Sequence, residues 1–404
     1  MADKPVLLCA GSFIHSQLYH ALSEYYRIAF FNEDFAQMAQ NSGFNCINTD
    51  TYISWDMGEE AKSKSMWMMK QVMDKMEEDP DWGIDMEHEM LHGELFSIWF
   101  PPWFHDRVSK MMAKIFGVSV LHEREGIAGI LMHEDVTAGG KSMVGYGKSE
   151  GLPTLHLAHA NHFMKPGTTD IHCRVVSDYI GASGLYMKDW YMKCGAKEEQ
   201  IELIGFPQWD QYYRNDGLPK RDEARRAFGF EEDELVITFA ATWPQMVTAG
   251  GQAWERSIKV LDETYQRYLE AIKNLNAKTI IKIHPTGGPG REDYYKEYME
   301  KNDVHGAITR EYNQWTIAAA DCVVTQTSSN FAFESLAMNV PAVELYTPGS
   351  RMPGIPGTYG DGLEDIITQA IKDGVDREIL RQMNYDDDGN AMIRAVDWVR
   401  QLCS

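Results

Sequence analysis

Ile280-Ile281-Lys282-Ile283-His284-Pro285, followed later by Asp321-Cys322-Val323-Val324-Thr325-Gln326-Thr327-Ser328-Ser329 and then Phe333-Glu334-Ser335, decides the fold. Each of the first two stretches starts as a short apolar run rich in β-branched residues and ends in polar groups. That is the pattern of parallel strands buried on both faces, with their polar ends at one sheet edge. The second run is expected to pass straight into a helix whose first turn carries Ser328 and Ser329, with Glu334 a turn later. Unpaired backbone N–H groups and the macrodipole make such a helix start attractive to anions. A carboxylate one turn further on suits a ribose diol. Together these features fit a nucleotide mono- or diphosphate.

Working outward, the same alternation fills the chain. Val6–Ser12 is an apolar run closed by Gly11, followed by a helical pattern from about residue 15 to 26 and a second strand at 28–31. Residues 59–116 read mainly as helix, interrupted at Pro101-Pro102 because proline lacks the N–H that a helix interior needs. Met66, Met69, Met73 and Met76 have helical spacing and read as a core stripe. Further strands are expected at 129–132, 153–158, 175–180 and 201–205. Asn215–Arg221 has linker composition. A second alternating unit then follows, with strands at 235–240, 278–284, 322–325 and 341–345, a helix at about 254–274 and a tail helix at 390–402. This predicts an α/β protein of two Rossmann-like doubly wound domains facing a cleft, spanning 1–214 and 222–385, with a C-terminal helix, 386–404, packing back toward the first.

Composition narrows the chemistry. The 404 residues suffice for two cores, and the formal net charge of -22 disfavours non-specific binding to nucleic acid or anionic membrane. The six cysteines form no CxxC pair and read as reduced thiols. Met1-Ala2-Asp3-Lys4-Pro5 runs directly into a strand without a leader or long apolar span, so a cytoplasmic location is expected.

With these residues laid out, the second half resembles the nucleotide-binding domain of GT-B glycosyltransferases. More narrowly, it is similar to the group containing CDP-glycerol glycerophosphotransferases and the HP-motif sialyl- and Kdo-transferases. His284-Pro285 and Ser328-Ser329 carry that likeness, joined by Gly151–His159, by Gly205-Phe206-Pro207-Gln208-Trp209-Asp210 and by Asp388-Gly389-Asn390-Ala391. The chain departs from the pattern at Ala160, where a glycine is usual, and at Gln326, where many retaining transferases carry the first of two glutamates. The resemblance implies a metal-independent transferase with no cofactor beyond its nucleotide-activated donor, with cytidine favoured and uridine next. It also implies a glycan, polyol-phosphate or modified nucleobase acceptor. Two alternatives share the fold: a non-hydrolysing UDP-N-acetylglucosamine 2-epimerase and a transferase acting on hydroxymethylated DNA bases.

The site residues follow. His284 reads as a leaving-phosphate contact or as a packed strand-end histidine. Ser328 and Ser329, with Thr327 and Thr242, read as phosphate donors or helix caps. Glu334 reads as the ribose ligand or a solvated helix acid. His159 reads as the base or a phosphate contact, with Asp135 and Glu134 as rival bases. His156, His159 and His162 lack a matching acidic or thiol cluster, so no metal is assigned. His88-Glu89-Met90-Leu91-His92 fits HExxH without the surrounding architecture of a zinc protease. The stretch Phe96–Phe104 reads as core, as a stacking surface for an acceptor sugar or base, or as a membrane contact. The Asp386–Asp388 run reads as a helix cap region.

Overall fold

The computed structural model describes residues 4–11, 16–78, 94–135, 137–157, 160–161, 175–214, 217–241, 251–284, 291–310, 313–326, 329–345 and 351–404. The chain forms two compact units. The first comprises Met1–His159, Arg174–Gly181 and Val396–Ser404, and the second Ala160–Cys173 and Ala182–Ala395.

One sheet contains β1 (Val6–Ala10), β2 (Arg27–Phe30), β3 (Ile47–Asn48), β4 (Ile127–Met132), β5 (Thr154–Leu157), β6 (Tyr179–Ala182) and β7 (Ile201–Leu203), in the order β3-β2-β1-β4-β5-β6-β7. The pairs β2–β3, β1–β2, β1–β4, β4–β5 and β5–β6 are parallel. The other contains β8 (Val236–Ala240), β9 (Lys278–Lys282), β10 (Gly306–Thr309), β11 (Cys322–Gln326), β12 (Ala342–Leu345) and β13 (Gly357–Thr358), in the order β10-β9-β8-β11-β12-β13, all parallel. Chain order reverses direction between β1 and β4 and again between β8 and β11. In open α/β sheets, ligands bind outside the carboxyl ends of the strands at such a reversal.

The central strands form because they are apolar on both faces: β8 and β11 are buried at every residue. The helix Gly251–Asn274 covers β8, with Phe239 stacked on Tyr268 at 4.3 Å between ring centroids and the Tyr268 hydroxyl donating to the Ile237 carbonyl at 3.0 Å. Arg225, on the helix Arg221–Ala227, is 1% exposed and fastens the far ends of the central pair. Its Nη2 lies 2.6 Å from Asp321 Oδ2, and it donates to the carbonyls of Ala319 at 3.1 Å and Glu234 at 2.9 Å. The same Asp321 oxygen accepts from the Val236 N–H at 2.8 Å, which locks the starts of β8 and β11 together.

Several expectations are corrected. The helix Glu94–Glu125 runs through Pro101 and Pro102 without a break. It packs along the helix Trp55–Glu78, and that tertiary contact overrides the loss of two backbone donors. Of the methionine stripe on Trp55–Glu78, Met66 is 56% exposed, while Met69 and Met73 are partly buried. Small residues four apart, Ala61 and Ser65, make the contact, with Ser65 Oγ 2.6 Å from His105 Nδ1. Cys194 is in a disulfide, whereas Cys9, Cys46, Cys322 and Cys403 are free thiols. Sequence spacing gave no signal for that bond. The short edge strands β3, β10 and β13 were not anticipated, because they carry little apolar pattern. The tail residues 396–404 belong to the first unit, where the Cys403 carbonyl accepts from the Tyr26 hydroxyl at 3.5 Å. Among the described residues no helix is long and apolar enough to cross a membrane.

Candidate functional site

In the second unit, the carboxyl edge of the sheet gathers the predicted donor residues that the structure describes. His284 follows β9 by two residues and is half-buried. Burial pushes its imidazole below the ordinary value of 6.5, and the Lys282 charge adds to that shift. Lys282 is itself buried. It donates to the carbonyls of Ile283, at 3.2 Å, and Arg310. Glu334 lies in the first turn of the helix Phe331–Ala337. Burial raises its carboxyl above the usual range, against the opposing pull of Tyr212, Asn313 and Lys282. The Tyr212 hydroxyl donates to Glu334 Oε2 at 2.7 Å and Asn313 Nδ2 approaches it at 3.4 Å.

Ser329 does not sit in the helix, which starts only at Phe331. Its hydroxyl accepts from the Phe331 N–H at 3.3 Å, turning the chain just ahead of the helix. Thr242, Thr327, Ser328 and His159 lie outside the described residues, as do His162 and the 88–92 motif. Gln326, where a paired glutamate was looked for, is buried and donates to the Leu261 carbonyl at 2.9 Å and to Thr264 Oγ1 at 2.6 Å.

The first unit has a cavity of about 530 Å³ at its own reversal point, reached from the ends of β1, β2 and β4. Phe31, Phe35 and Met111 give it an apolar side, and Lys114, Glu134 and Thr137 a polar one. Lys114 pairs with Asp50 at 3.3 Å, and Thr137 caps the helix Ala138–Glu150 by accepting from the Gly140 N–H at 3.1 Å. The neighbouring histidine, His133, is committed to structure. Its Nδ1 faces the Leu157 carbonyl at 3.1 Å and must carry the proton, so Nε2 accepts from the Tyr19 hydroxyl at 2.5 Å.

Asp135 is fully buried rather than on a rim. Its Oδ2 accepts from the N–H groups of Val176, at 2.7 Å, and Ser177, at 2.9 Å, and from Ser177 Oγ at 2.8 Å. Three donors on one oxygen make it a strap for the chain entering β6, while its other oxygen lies 3.6 Å from His156 Nδ1. Glu134, one residue earlier, lines the cavity. Among the described residues no three potential metal ligands cluster.

Two regions now have a physical reading. Residues 154–352, just under half of the chain, match the family model of CDP-glycerol:poly(glycerophosphate) glycerophosphotransferases. The chain is a GT-B transferase near this family. Its chemistry is nucleotide-dependent group transfer. No curated protein matches it. A putative UDP-N-acetylglucosamine 2-epimerase from Listeria monocytogenes superposes with a TM-score of 0.58 at 12% identity, covering 99% of this chain and 96% of that one. The UDP-GlcNAc 2-epimerase from Neisseria meningitidis, bound to UDP-GlcNAc, gives 0.55 at 12%, covering 98% and 99%. The wall teichoic acid polymerase TagF, soaked with CDPG, gives 0.51 at 13%, covering 100% and 90%. At such identities the likeness establishes the fold alone.

The transferase's Gly205–Asp210 passage has a structural task. Gly205 takes φ +90°, and a Cβ there would lie 2.8 Å from the Ala391 Cβ. The Phe206 N–H donates to Asn384 Oδ1 at 2.7 Å. Asp210 caps the helix Ala391–Leu402, accepting from the N–H groups of Ala391 at 3.0 Å and Met392 at 2.8 Å. The acidic run ahead of that helix does similar work. Burial disfavours the Asp388 charge, yet Arg394 and Asn390 hold its carboxyl down to about 2. Gly205→Ala therefore combines a strained backbone with a clash. It should cost about 1–3 kcal/mol and lower the melting temperature by several degrees. An unchanged thermal melt would show that the turn relaxes freely.

The histidine shift gives a pH prediction. A folded-state value below 6.5 means the unfolded chain binds the proton more readily, so this contribution to stability is complete above about pH 6.5 and is lost as pH falls through the folded value. NMR titration of His284 in the free protein should show a depressed midpoint. Adding nucleotide diphosphate should raise it, because the anion favours the imidazolium. A midpoint unmoved by nucleotide would separate His284 from the phosphate.

Proposed function

We propose that the protein transfers a group from a cytidine-nucleotide donor, with uridine nucleotides as the next candidates, to an acceptor hydroxyl. The observation that carries this is the convergence of His284, Lys282 and Glu334 at the carboxyl edge of the second sheet, inside the segment matching the glycerophosphotransferase family. His284, neutral near pH 7, offers an N–H to the leaving phosphate where negative charge develops. Ser329, with Thr327, Ser328 and Thr242, adds hydroxyl and backbone donors, and Glu334 accepts from the ribose diol. The acceptor hydroxyl attacks the transferred group and the bond to the nucleotide phosphate oxygen breaks. The electron pair stays on the nucleotide, and the acceptor proton passes to a base, for which His159 and Glu134 are the candidates.

The test is a thermal-shift panel of CMP, CDP, UDP and GDP. A ligand at a hundred times its dissociation constant stabilises by about 2.7 kcal/mol. A cytidine nucleotide should give the largest shift, Glu334→Gln should reduce it, and a flat panel would sink the donor reading. Because we assign no metal, nucleotide release from the activated donor should persist in excess EDTA. Loss of turnover that magnesium restores would overturn that part.

A further inference from the structure

Asn330 stands at the N-cap position of the helix Phe331–Ala337, where an asparagine ordinarily accepts a hydrogen bond from the helix's own first turn. Here it makes no such bond, and its backbone is already αR at φ -60° and ψ -19°. Its Oδ1 instead accepts from the backbone N–H of Asn161 at 3.2 Å. Asn161 is 5% exposed, and its own Oδ1 accepts from the hydroxyl of Ser183, which is 3% exposed, at 2.6 Å. Asn161 Nδ2 points to Met383 Sδ at 3.9 Å. Neighbouring Ser329 is held in turn, with its N–H on Met352 Sδ at 3.3 Å and its hydroxyl taking the Phe331 N–H. A hydrogen-bonded chain, buried at Ser183 and Asn161 and partly exposed at Asn330, thus ends on the turn that carries Ser329. Diverting a capping side chain from the helix forgoes about 1 kcal/mol of helix stability.

We propose that Asn330 is a positioning residue for the transfer reaction: through Asn161 and Ser183 it fixes the 160–161 backbone against the Ser329 turn. Residues 160–161 then keep one register beside the Ser329 turn. This rests on the donor reading above. The link acts on orientation, so its loss lowers the rate of transfer more than it weakens donor binding. A displacement of about 1 Å at a reacting group can cost on the order of 100-fold in rate.

The experiment follows CMP release from CDP-glycerol by the full chain, with glycerol as added acceptor, for wild type, Asn330→Ala, Asn330→Asp and Ser183→Ala. Asn330→Asp keeps an oxygen that can accept from the Asn161 N–H. We expect Asn330→Ala to lower kcat by about 10–100-fold with KM for CDP-glycerol within about twofold of wild type. Asn330→Asp should return to within a few-fold of wild type, and Ser183→Ala should fall between them. Wild-type kinetics in Asn330→Ala would overturn the proposal. So would Asn330→Asp as slow as Asn330→Ala, or a loss confined to KM or to the melting temperature. A wild-type protein that binds CDP yet shows no difference among the variants leaves the donor reading standing and removes this one. A wild-type protein that neither binds CDP nor releases CMP removes both.

Discussion

His284→Ala should slow nucleotide release from the activated donor by about 10²–10³-fold while leaving the melting temperature within about 2 °C of wild type. The size follows from where the group acts. An N–H donor aimed at the leaving phosphate contributes mostly as charge builds in the transition state, so kcat falls more than donor affinity. The small effect on stability follows from its surroundings. His284 is half-buried beyond the end of β9, where burial and the Lys282 charge disfavour the imidazolium. His284→Gln, whose amide can still donate, should retain more turnover than alanine. Steady-state release of nucleotide, with thermal melts alongside, decides it, and a threefold effect or less for alanine would assign His284 to packing.

The second large effect concerns stability. Arg225→Ala should cost about 3–5 kcal/mol and lower the melting transition of the second unit by on the order of 10 °C. The guanidinium is buried, and removing it strips the carbonyls of Ala319 and Glu234 of their charged donor and leaves Asp321 to the more exposed Arg221. Asp321 also holds the Val236 N–H, so the damage reaches the register of β8 and β11, whose opposite ends frame the donor edge. Differential scanning calorimetry with CDP present and absent is the readout. A loss below about 1 kcal/mol would mean that water or a neighbouring cation replaces the arginine.

The sheets were legible in the sequence because their central strands are short runs dominated by apolar and β-branched residues. Val236–Ala240 and Cys322–Gln326 admit few other readings. The place of His284 at the sheet edge was legible because it lies two residues beyond the run Lys278–Lys282. Tyr212 and Asn313 were not, since both reach Glu334 from segments remote in sequence. Lys282 carries a usable signal, a lysine ending an otherwise apolar strand. Local chemistry also misled. Pro101 and Pro102 argued for a break that packing overrides, and Asp135, expected as a rival base, is held by three donors. Ser329 was placed one step too late because a hydroxyl before a helix can form its own turn.

The Gly205–Asp210 passage has a consequence for reading related sequences. Its glycine makes room for the start of the final helix and its aspartate holds two of that helix's N–H groups. These contacts all lie within the second unit. The pattern is thus a signature of how the final helix is fastened. In a newly met sequence it should count toward the architecture and add nothing to the choice of substrate.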